Sequence, residues 1–257
     1  MNAYAPVNGL RMYYEIHGSG DPVVLLHGAL SGIETSFGAL LPLLAKNRQV
    51  IAVEFQGHGR TADVDRPLTY PQLADDVAAL LRHIGVDRAD VLGYSMGGGI
   101  ALELAMRHPD AVRKLVLASV TYTVDGCHPG LFEGMAELTP DMLVGTPFEE
   151  EYLRLAPDPQ AFPALVEKVK GFDLSWRGWS EEAVRAITAP TMVLIGDSDL
   201  ARPEHAVEMF RLFGGGVFGD VAGLPDAQLA VLPGTTHVGI TQRAEWIAPM
   251  VDEFLDR

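Results

Sequence analysis

A serine lies at the centre of a Gly-x-Ser-x-Gly motif that spans Gly93 to Gly97. A short apolar stretch from Ala89 to Leu92 precedes the motif, and a helix-forming run from Gly98 to Ala105 follows it. This order predicts a strand, a sharp turn and a helix, which is the context of a nucleophile elbow. Ser95 at the turn is therefore the candidate nucleophile, and the alternative is an ordinary strand-to-helix turn that contains a serine.

A serine hydroxyl is a weak nucleophile near neutral pH, so it needs a base and an acid that orients the base. His237 follows the last predicted strand and is the candidate base, while Asp199 follows the strand before it. Asp197, two residues earlier, is the competing candidate for the acid. The carboxyl ends of parallel strands meet at one edge of a sheet, and the chain order Ser, Asp, His fits this architecture. Ser95, Asp199 and His237 are thus the predicted catalytic residues.

We expect the other histidines and carboxylates to have structural roles or to be exposed to solvent. His27 and His58 also follow predicted strands, and we expect them to organise loops. The five remaining histidines do not directly follow sheet strands. Most of the remaining carboxylates lie on helical faces or in the middle of the chain, as in the run Glu149 to Glu151, and are interpreted as solvated.

An acyl-transfer site also needs backbone N–H groups that stabilise the oxyanion. These come from the residue after the nucleophile and from the loop after an early strand. The rule predicts the N–H groups of Met96 and Ala29, with Leu30 as the alternative to Ala29. Because only the backbone N–H is needed there, the type of side chain at position 29 says little about whether this residue is an oxyanion donor.

Alternating apolar strands and helices must position these residues. Asn8-Gly9 predicts a hairpin turn, and Tyr70 to Ile84 shows helical spacing of its apolar residues. A second helix is predicted across Ser36 to Ala45. The later strands are predicted at Val23 to Leu26, Gln49 to Phe55, Ala89 to Leu92, Lys114 to Val120, Thr191 to Ile195 and Gln228 to Leu232. The pattern predicts an α/β fold with a mostly parallel sheet, helices on both faces and an antiparallel N-terminal hairpin.

The segment from 122 to 186 breaks the alternation, since it contains prolines and helical patches but no clear strand. A stretch this long between two sheet strands predicts an inserted helical cap, with residues 1–121 and 187–257 forming the core. The cap carries apolar side chains that are candidates for a substrate pocket, although packing against the core is the alternative for each one. They are Leu131, Phe132, Met135, Leu138, Met142, Leu143, Phe172, Trp176 and Trp179.

Composition limits the partners that we expect. The formal net charge of −15 argues against nucleic acid and anionic membranes, because both require a basic surface. Cys127 is the only cysteine, so no intramolecular disulfide is expected. The N-terminus has no signal-peptide pattern, and no apolar run is long enough to span a membrane. A cytoplasmic protein that binds a small-molecule substrate is the expectation, while the oligomeric state stays open.

The motifs together resemble the α/β-hydrolase superfamily over nearly the whole chain outside the cap. The landmarks are Leu26-His27-Gly28, Gly57 to Thr61, Gly93 to Gly97, Gly196 to Asp199 and Gly234 to His237. The resemblance implies a cofactor-free and metal-free serine hydrolase that cleaves a small hydrophobic carboxylic ester or lactone through an acyl-enzyme. A perhydrolase or acyltransferase with the same triad, or a non-catalytic binding protein, are the alternatives.

At several positions this sequence departs from the patterns of particular α/β-hydrolase subfamilies. Ser95 stands where haloalkane dehalogenases and epoxide hydrolases have Asp, which argues against those two activities. The loop from His27 to Gly32 lacks the Ser-Gly-Pro-Gly typical of meta-cleavage product hydrolases and the glycine run of larger lipases. Glu54-Phe55-Gln56 precedes the Gly-x-Gly turn, where the superfamily often has Asp.

Overall fold

The architecture is a central sheet with helices on both faces, seen in a computed structural model that describes residues 1–257. The eight strands lie in the order β1-β2-β4-β3-β5-β6-β7-β8. Their bounds are β1 (Asn2–Val7), β2 (Leu10–His17), β3 (Pro22–Leu26), β4 (Gln49–Glu54), β5 (Ala89–Tyr94), β6 (Val112–Ala118), β7 (Thr191–Ser198) and β8 (Ala227–Thr236). The predicted fold class is confirmed.

Eleven α-helices accompany the sheet. They are α1 (Ile33–Phe37), α2 (Leu41–Leu44), α3 (Tyr70–His83), α4 (Met96–Arg107), α5 (Leu131–Ala136), α6 (Pro147–Leu155), α7 (Phe162–Ser175), α8 (Glu181–Arg185), α9 (Pro203–Leu212), α10 (Gly219–Ala222) and α11 (Ala244–Asp256). No helix has both the length and the apolar composition needed to cross a membrane.

The N-terminal hairpin and the parallel region meet at β2. Strand β2 pairs antiparallel with both β1 and β4, and all later pairs are parallel. Asn8 and Gly9 both have positive φ, 45° and 83°, which is the backbone that a two-residue type I′ hairpin turn requires. Parallel pairing from β3 to β8 brings the carboxyl ends of these strands to one edge of the sheet.

Alternate side chains of each strand pack into two separate apolar clusters. In β3, Val24 and Leu26 belong to the cluster beneath α3, α4 and α9, whereas Val23 and Leu25 belong to the cluster beneath α1, α2 and α11. Both clusters are fully enclosed, which explains why the strands are continuous apolar runs rather than alternating ones.

The prediction of one continuous helix across Ser36 to Ala45 is wrong. The chain forms α1 and α2 with a break around Gly38. Pro42 lies in the first turn of α2. Within one continuous helix it would remove a backbone hydrogen bond and would clash with the preceding turn, so the helix has to restart.

Residues 122–186, which we call the cap segment, contain α5 to α8 and no strand. Apolar residues of α7, including Val166 and Val169, join the cluster beneath α3 and α4 rather than forming a separate core. Helix α8 packs against α4 and α9 of the central sheet unit. The cap segment is therefore fixed to the rest of the protein by shared apolar packing.

Candidate active site

Ser95 lies in a strained turn between β5 and α4. Its φ of 54° and ψ of −120° are unusual for a residue other than glycine. The turn packs so closely that a Cβ atom on Gly97 would overlap the carbonyl oxygen of Leu26, and one on Gly93 would overlap the carbonyl oxygen of Gly97. The motif glycines are thus required by contact distances, and the turn holds the Ser95 side chain at the carboxyl edge of the sheet.

The structure brings the three predicted catalytic residues into one hydrogen-bonded chain. Nε2 of His237 lies 3.0 Å from Oγ of Ser95. Nδ1 of the same ring lies 2.8 Å from Oδ1 of Asp199, whose side chain is fully buried. A histidine in this position can take the serine proton on one nitrogen while the carboxylate holds the other.

Asp199 is held by more than the histidine. Oγ of Ser119 donates a hydrogen bond to Oδ2 of Asp199 at 2.5 Å, and the Gly196 N–H donates to the same oxygen at 3.2 Å. Burial alone would raise the pKa of Asp199, but the hydrogen bond and charge of His237, with the bond from Ser119, hold that pKa below its ordinary value. The carboxylate is therefore ionised at neutral pH. Sequence reasoning missed Ser119, although it directly follows β6 and so carries the same strand-end signal.

Asp197, the competing acid, makes no hydrogen bond with His237, whose Nδ1 is bonded to Asp199. Its carboxylate accepts hydrogen bonds from the backbone N–H groups of Gly234 at 2.9 Å and Thr235 at 3.2 Å. These contacts tie the end of β7 to the end of β8, the strand that leads to His237. Geometry therefore separates the two candidates, with Asp199 at the imidazole and Asp197 at the strand ends.

The loop after β3 contains Ala29 and Leu30, the two alternatives for one of the predicted oxyanion donors. The Leu30 N–H donates to Nε2 of His58 at 3.2 Å, so it is already occupied. The Ala29 N–H makes no hydrogen bond within the protein and lines the cavity above Ser95. Met96 is the first residue of α4, where N–H groups have no partner within the helix. This leaves the N–H groups of Ala29 and Met96 free beside Ser95.

His27 and His58 hold the loops around this site. Nε2 of His27 accepts from the Phe55 N–H at 3.1 Å, and Nδ1 of His58 lies 2.9 Å from the carbonyl oxygen of Gln56. Burial lowers the pKa of His58 to about 4, and burial together with His58 lowers the pKa of His27. Both rings are therefore neutral at pH 7 and act as hydrogen-bonding braces.

Glu54, which departs from the superfamily pattern, closes the Gly-x-Gly turn. Its buried carboxylate accepts hydrogen bonds from the Arg60 N–H at 2.5 Å and from Nη1 of Arg60 at 2.7 Å. Gly59 lies against the same carboxylate with a φ of 51°, and a Cβ atom there would overlap it. The turn is thus built around the longer Glu side chain.

Glu151 of α6 connects the cap segment to the loop that carries Ala29. Its carboxylate accepts from the N–H groups of Gly32 at 2.8 Å, Glu34 at 2.9 Å and Thr35 at 3.3 Å. The side chain of Glu34 in turn pairs with Arg154 of α6 at 2.7 Å. The interpretation of the Glu149 to Glu151 run as solvated is therefore wrong for Glu151, because its side chain is buried and caps the N-terminus of α1.

A cavity of about 220 Å³ opens above Ser95 and His237. Its wall includes five of the predicted cap residues, namely Leu131, Phe132, Met135, Leu138 and Trp176. The other four predicted cap residues do not line it, and they are Met142, Leu143, Phe172 and Trp179. Nε1 of the Trp179 indole instead donates to Glu103 of α4 at 2.6 Å. The lining residues that the sequence did not indicate include Tyr70, Phe148, Val169 and Asp173. The cavity is mostly apolar, and both the cap segment and the sheet edge line it.

Comparisons with known proteins agree with this architecture. The chain is 28% identical over 225 residues to 2-hydroxymuconate semialdehyde hydrolase from Pseudomonas sp. strain CF600, with 76% of each chain covered. The enol-lactonase from Burkholderia xenovorans LB400 has the same fold, with a TM-score of 0.74, 23% identity, and coverage of 99% of this chain and 100% of that one. A thermophilic esterase from Thermogutta terrifontis gives a TM-score of 0.75 at 22% identity, with 100% and 98% covered.

The sequence also matches the model of a protein family. Residues 21–166, more than half of the chain, match the model described as the alpha/beta hydrolase fold. That range contains the loop after β3, the elbow at Ser95 and the first part of the cap segment. With the eight-stranded sheet of the expected topology, the match shows that the chain belongs to the α/β-hydrolase family.

Proposed function

We propose that this protein is a serine hydrolase that cleaves a small hydrophobic carboxylic ester or lactone through an acyl-enzyme on Ser95. The observation that carries the proposal is a pair of hydrogen bonds. Oγ of Ser95 lies 3.0 Å from Nε2 of His237, and Nδ1 of His237 lies 2.8 Å from Oδ1 of Asp199. The α/β-hydrolase family and the 28% identical relative, which is itself named a hydrolase, support the same reaction class.

The first half of the reaction forms the acyl-enzyme. Ser95 Oγ attacks the ester carbonyl carbon while its proton moves to Nε2 of His237. Asp199 stabilises the imidazolium that forms, and the Ala29 and Met96 N–H groups receive the developing oxyanion. The tetrahedral intermediate then collapses, the bond to the leaving oxygen breaks, and His237 gives its proton to the leaving alkoxide.

The second half repeats the cycle with water. His237 removes a proton from a water molecule, the hydroxide attacks the acyl carbon, and Ser95 is released with its proton restored. A lactone follows the same steps, except that the leaving alcohol stays attached to the acyl group. Each step uses only side chains and backbone of this chain. The apolar cavity supports a substrate whose acyl or alcohol part is hydrophobic.

Labelling with a fluorophosphonate probe tests the nucleophile. We expect the folded protein to be labelled covalently at Ser95, as shown by peptide mass spectrometry, and the S95A variant to remain unlabelled. Folded wild-type protein that shows no labelling would contradict the catalytic proposal and would favour a binding protein.

A substrate screen tests the reaction. We expect hydrolysis of p-nitrophenyl esters and simple lactones, with a preference for one range of acyl length and no activity in S95A. 2-Hydroxymuconate semialdehyde belongs in the screen because the 28% identical relative is named for it. Product analysis with added alcohol or hydrogen peroxide separates hydrolysis from acyl transfer and perhydrolysis, which would give an ester or a peracid instead of the free acid.

We further propose that the cap segment determines substrate preference. Seven of its apolar side chains line the cavity together with the catalytic edge of the sheet, and they are Leu131, Phe132, Met135, Leu138, Phe148, Val169 and Trp176. Exchange of residues 122–186 for the cap of another family member is expected to change the preferred acyl length while fluorophosphonate labelling of Ser95 persists. A folded exchange protein with unchanged preference would contradict this assignment.

A further inference from the structure

The wall of the cavity above Ser95 includes one carboxylate that the proposed reaction does not use. Asp173, near the end of α7, is the only Asp or Glu among the 22 lining residues, and none of them is Lys or Arg. Because 16 of the 22 are hydrophobic, the surroundings offer the carboxylate little that could replace water. Removal of a carboxylate from water is unfavourable unless a partner offsets it, so the position of Asp173 requires a physical explanation.

Asp173 has no partner within the protein. Its carboxylate forms no hydrogen bond and no ion pair, and burial raises its pKa to about 7 with no opposing charge or bond. The two lysines of the same helix are engaged elsewhere, since Lys168 donates to Asp63 at 2.7 Å and Lys170 to Glu167 at 2.8 Å. The hydrogen-bonding capacity of the Asp173 carboxylate is therefore unused.

The hydroxyl of Tyr70 is a second polar group without a partner on the same side of the cavity. Tyr70 also lines the cavity, and its ring packs on Phe172 and Trp176, which flank Asp173 in sequence, with centroids 4.6 Å and 6.1 Å away. The charge of Asp173 adds to burial in raising the pKa of Tyr70, so the carboxylate lies within range of this hydroxyl.

Both groups are open to a ligand. Only two buried polar side-chain atoms are completely enclosed without a hydrogen-bond partner, namely Nε1 of Trp176 and Nε of Arg202. Since the Asp173 carboxylate and the Tyr70 hydroxyl also have no partner but are not enclosed in this way, their oxygen atoms retain accessible surface. A substrate in the cavity can therefore reach them, whereas it cannot reach the indole nitrogen.

We propose that Asp173 determines substrate specificity: together with the Tyr70 hydroxyl it binds a hydrogen-bond donor of the substrate, a hydroxyl or an ammonium group, and it rejects substrates with a carboxylate there. Either donor gives a proton to an oxygen of Asp173. A hydroxyl can also accept from the Tyr70 hydroxyl, and an ammonium can donate to the Tyr70 oxygen. A carboxylate has no proton to give and is repelled, because no Lys or Arg of the wall neutralises it.

This proposal rests on the proposed ester hydrolysis and deepens it to a class of substrate. The substrate is hydrophobic apart from the ester and one donor group away from the scissile carbonyl, since the rest of the wall is mostly apolar. His237 is the only other lining residue that can become a cation, and its ring is bonded to Ser95 and Asp199 instead. The cavity therefore has no group of its own that would hold an anion near Asp173.

A series of p-nitrophenyl esters tests the subsite. Their acyl chains end in a methyl, hydroxyl, ammonium or carboxylate group, and each is made at several lengths so that one length brings the terminal group to Asp173. The assays are run at about pH 8, where Asp173 is ionised and an alkylammonium keeps its proton. We expect kcat/KM to be lowest for the carboxylate ester, and the faster of the hydroxyl and ammonium esters identifies the donor. A carboxylate ester cleaved as well as both donor esters would overturn the proposal.

Substitutions at Asp173 assign the effect through ratios to the methyl ester, because a comparison of ratios between variants cancels the intrinsic polarity of each ester. In D173L, the kcat/KM ratio of the better donor ester is expected to fall about tenfold, the loss of roughly one net hydrogen bond. In D173N, which removes only the charge, the ratio of the carboxylate ester is expected to rise about tenfold. An unchanged ratio in either variant would overturn the proposal.

Two further variants locate the subsite. Y70F removes only the second hydroxyl, and the ratio of the better donor ester is expected to fall about threefold. An unchanged ratio in Y70F would overturn the assignment of Tyr70. Glu167 lies on the same helix as Asp173, is exposed and pairs with Lys170 at 2.8 Å. E167Q therefore removes the same charge outside the cavity and should leave all ratios unchanged.

Thermal unfolding distinguishes a specificity role from a structural one. Since Asp173 has no partner to lose, D173L is expected to raise the midpoint of unfolding, because it replaces an unpaired carboxylate with an apolar side chain. A lowered midpoint together with unchanged ester ratios would show that Asp173 only supports the fold, and would overturn the proposal.

A binding measurement keeps the subsite separate from the reaction. In the S95A protein, calorimetric titration with the methyl esters of the same acids measures affinity without turnover. The ester with the better donor is expected to bind about tenfold more weakly when D173L is added, while the ester that ends in methyl does not bind more weakly. Unchanged affinity of the donor ester would overturn the subsite even if esters are cleaved. Absence of both ester cleavage and Ser95 labelling in the wild type, with the affinity effect intact, would instead contradict the proposed function alone.

Discussion

Tyr94 reaches from the elbow to the loop that carries the candidate base, because its hydroxyl donates a hydrogen bond to the backbone carbonyl oxygen of His237 at 3.1 Å. Its ring also stacks on the imidazole of His237, with 5.3 Å between the ring centroids. The residue before the nucleophile therefore positions the residue after β8. Two elements that are distant in sequence are held together by one side chain, independently of the bond between Ser95 and His237.

Y94F tests this positioning role. The variant keeps the stacked ring but leaves the His237 carbonyl oxygen without its donor, so the histidine loop is less well held. We expect kcat for ester hydrolysis to fall about tenfold, with a smaller change in KM, because one hydrogen bond is typically worth about 1 kcal/mol. Steady-state kinetics and thermal unfolding measure the two effects. Tyr4, half-exposed on β1 with no hydrogen bond from its hydroxyl, gives the control Y4F, for which no kinetic change is expected. A Y94F enzyme with wild-type kcat would contradict the role.

Glu151 provides a test of the link between the cap segment and the oxyanion loop. E151Q replaces the carboxylate that accepts three backbone N–H groups, so at least one of those donors loses its acceptor. We expect the free energy of unfolding to fall by about 1–3 kcal/mol, as measured by urea denaturation. The loop that carries Ala29 should also shift, and removal of an oxyanion donor costs about 10²–10³ in rate, so a decrease in kcat of up to that size is expected.

The neighbouring residue supplies the control for Glu151. Glu150 lies on α6 but is exposed and forms no side-chain hydrogen bond, so E150Q removes the same charge without removing the contact. We expect E150Q to remain within about 0.5 kcal/mol of the wild type, as is usual for surface substitutions. Equal stability losses in the two variants would show that charge, rather than the bonds to α1, is responsible.

His58 predicts a pH dependence of stability. Its pKa is lowered by burial from 6.5 to about 4 in the folded protein, so between these values the unfolded chain binds more protons than the folded one. Stability contributed by the neutral ring is complete above pH 6.5 and is lost as the pH falls toward 4. The pKa shift corresponds to a loss of about 3 kcal/mol in the free energy of unfolding once the pH is below both pKa values. Urea denaturation at a series of pH values is the measurement.

Substitution at two histidines separates this contribution from the rest. H58Q should decrease the slope of unfolding free energy against pH in the window from 6.5 to 4 by up to one proton. His27, whose pKa is also lowered by burial, still contributes a slope in that variant. His83 is exposed at the end of α3, and H83Q should keep the wild-type slope. An H58Q slope that matches the wild type would show that His58 does not titrate in this range.

The sequence allowed the strands and the Ser95, His237 and Asp199 geometry to be anticipated for a local reason. Each of these three residues follows an apolar run, which is buried in β5 and β7 and partly exposed in the edge strand β8. Such runs are recognisable without any knowledge of tertiary contacts. The break between α1 and α2 was missed because the apolar residues of that region continue with helical spacing through Gly38 and Pro42. There the backbone restriction at proline outweighs the side-chain pattern.

The residues that support the site were harder to anticipate, because their role depends on partners far away in sequence. Glu151 is one of three consecutive glutamates, and only the fold shows that it is the one that meets the N–H groups at the start of α1. Asp173 lies on α7, and only the folded structure shows that it lines the cavity. Tyr94 and Ser119 are similar cases, since a hydroxyl near a strand end has no distinctive local signature.

Asp199 and Asp197 allow the assignment of the orienting acid to be tested by one pair of matched substitutions. Both lie at the end of the β7 region, but only Asp199 contacts His237, while Asp197 accepts from Gly234 and Thr235. D199N keeps the size of the side chain but removes the charge that holds the imidazole in the required tautomer, and losses of about 10⁴ in kcat are typical of such a change. D197N removes no contact to the imidazole, so its kcat should stay within about threefold of wild type, a change below about 1 kcal/mol in barrier height. The kinetics should be measured with one p-nitrophenyl ester, and the fluorophosphonate labelling rate should follow the same order. If D197N caused the larger loss, the carboxylate that acts on His237 in solution would be Asp197, and the loop after β7 would have to rearrange for catalysis.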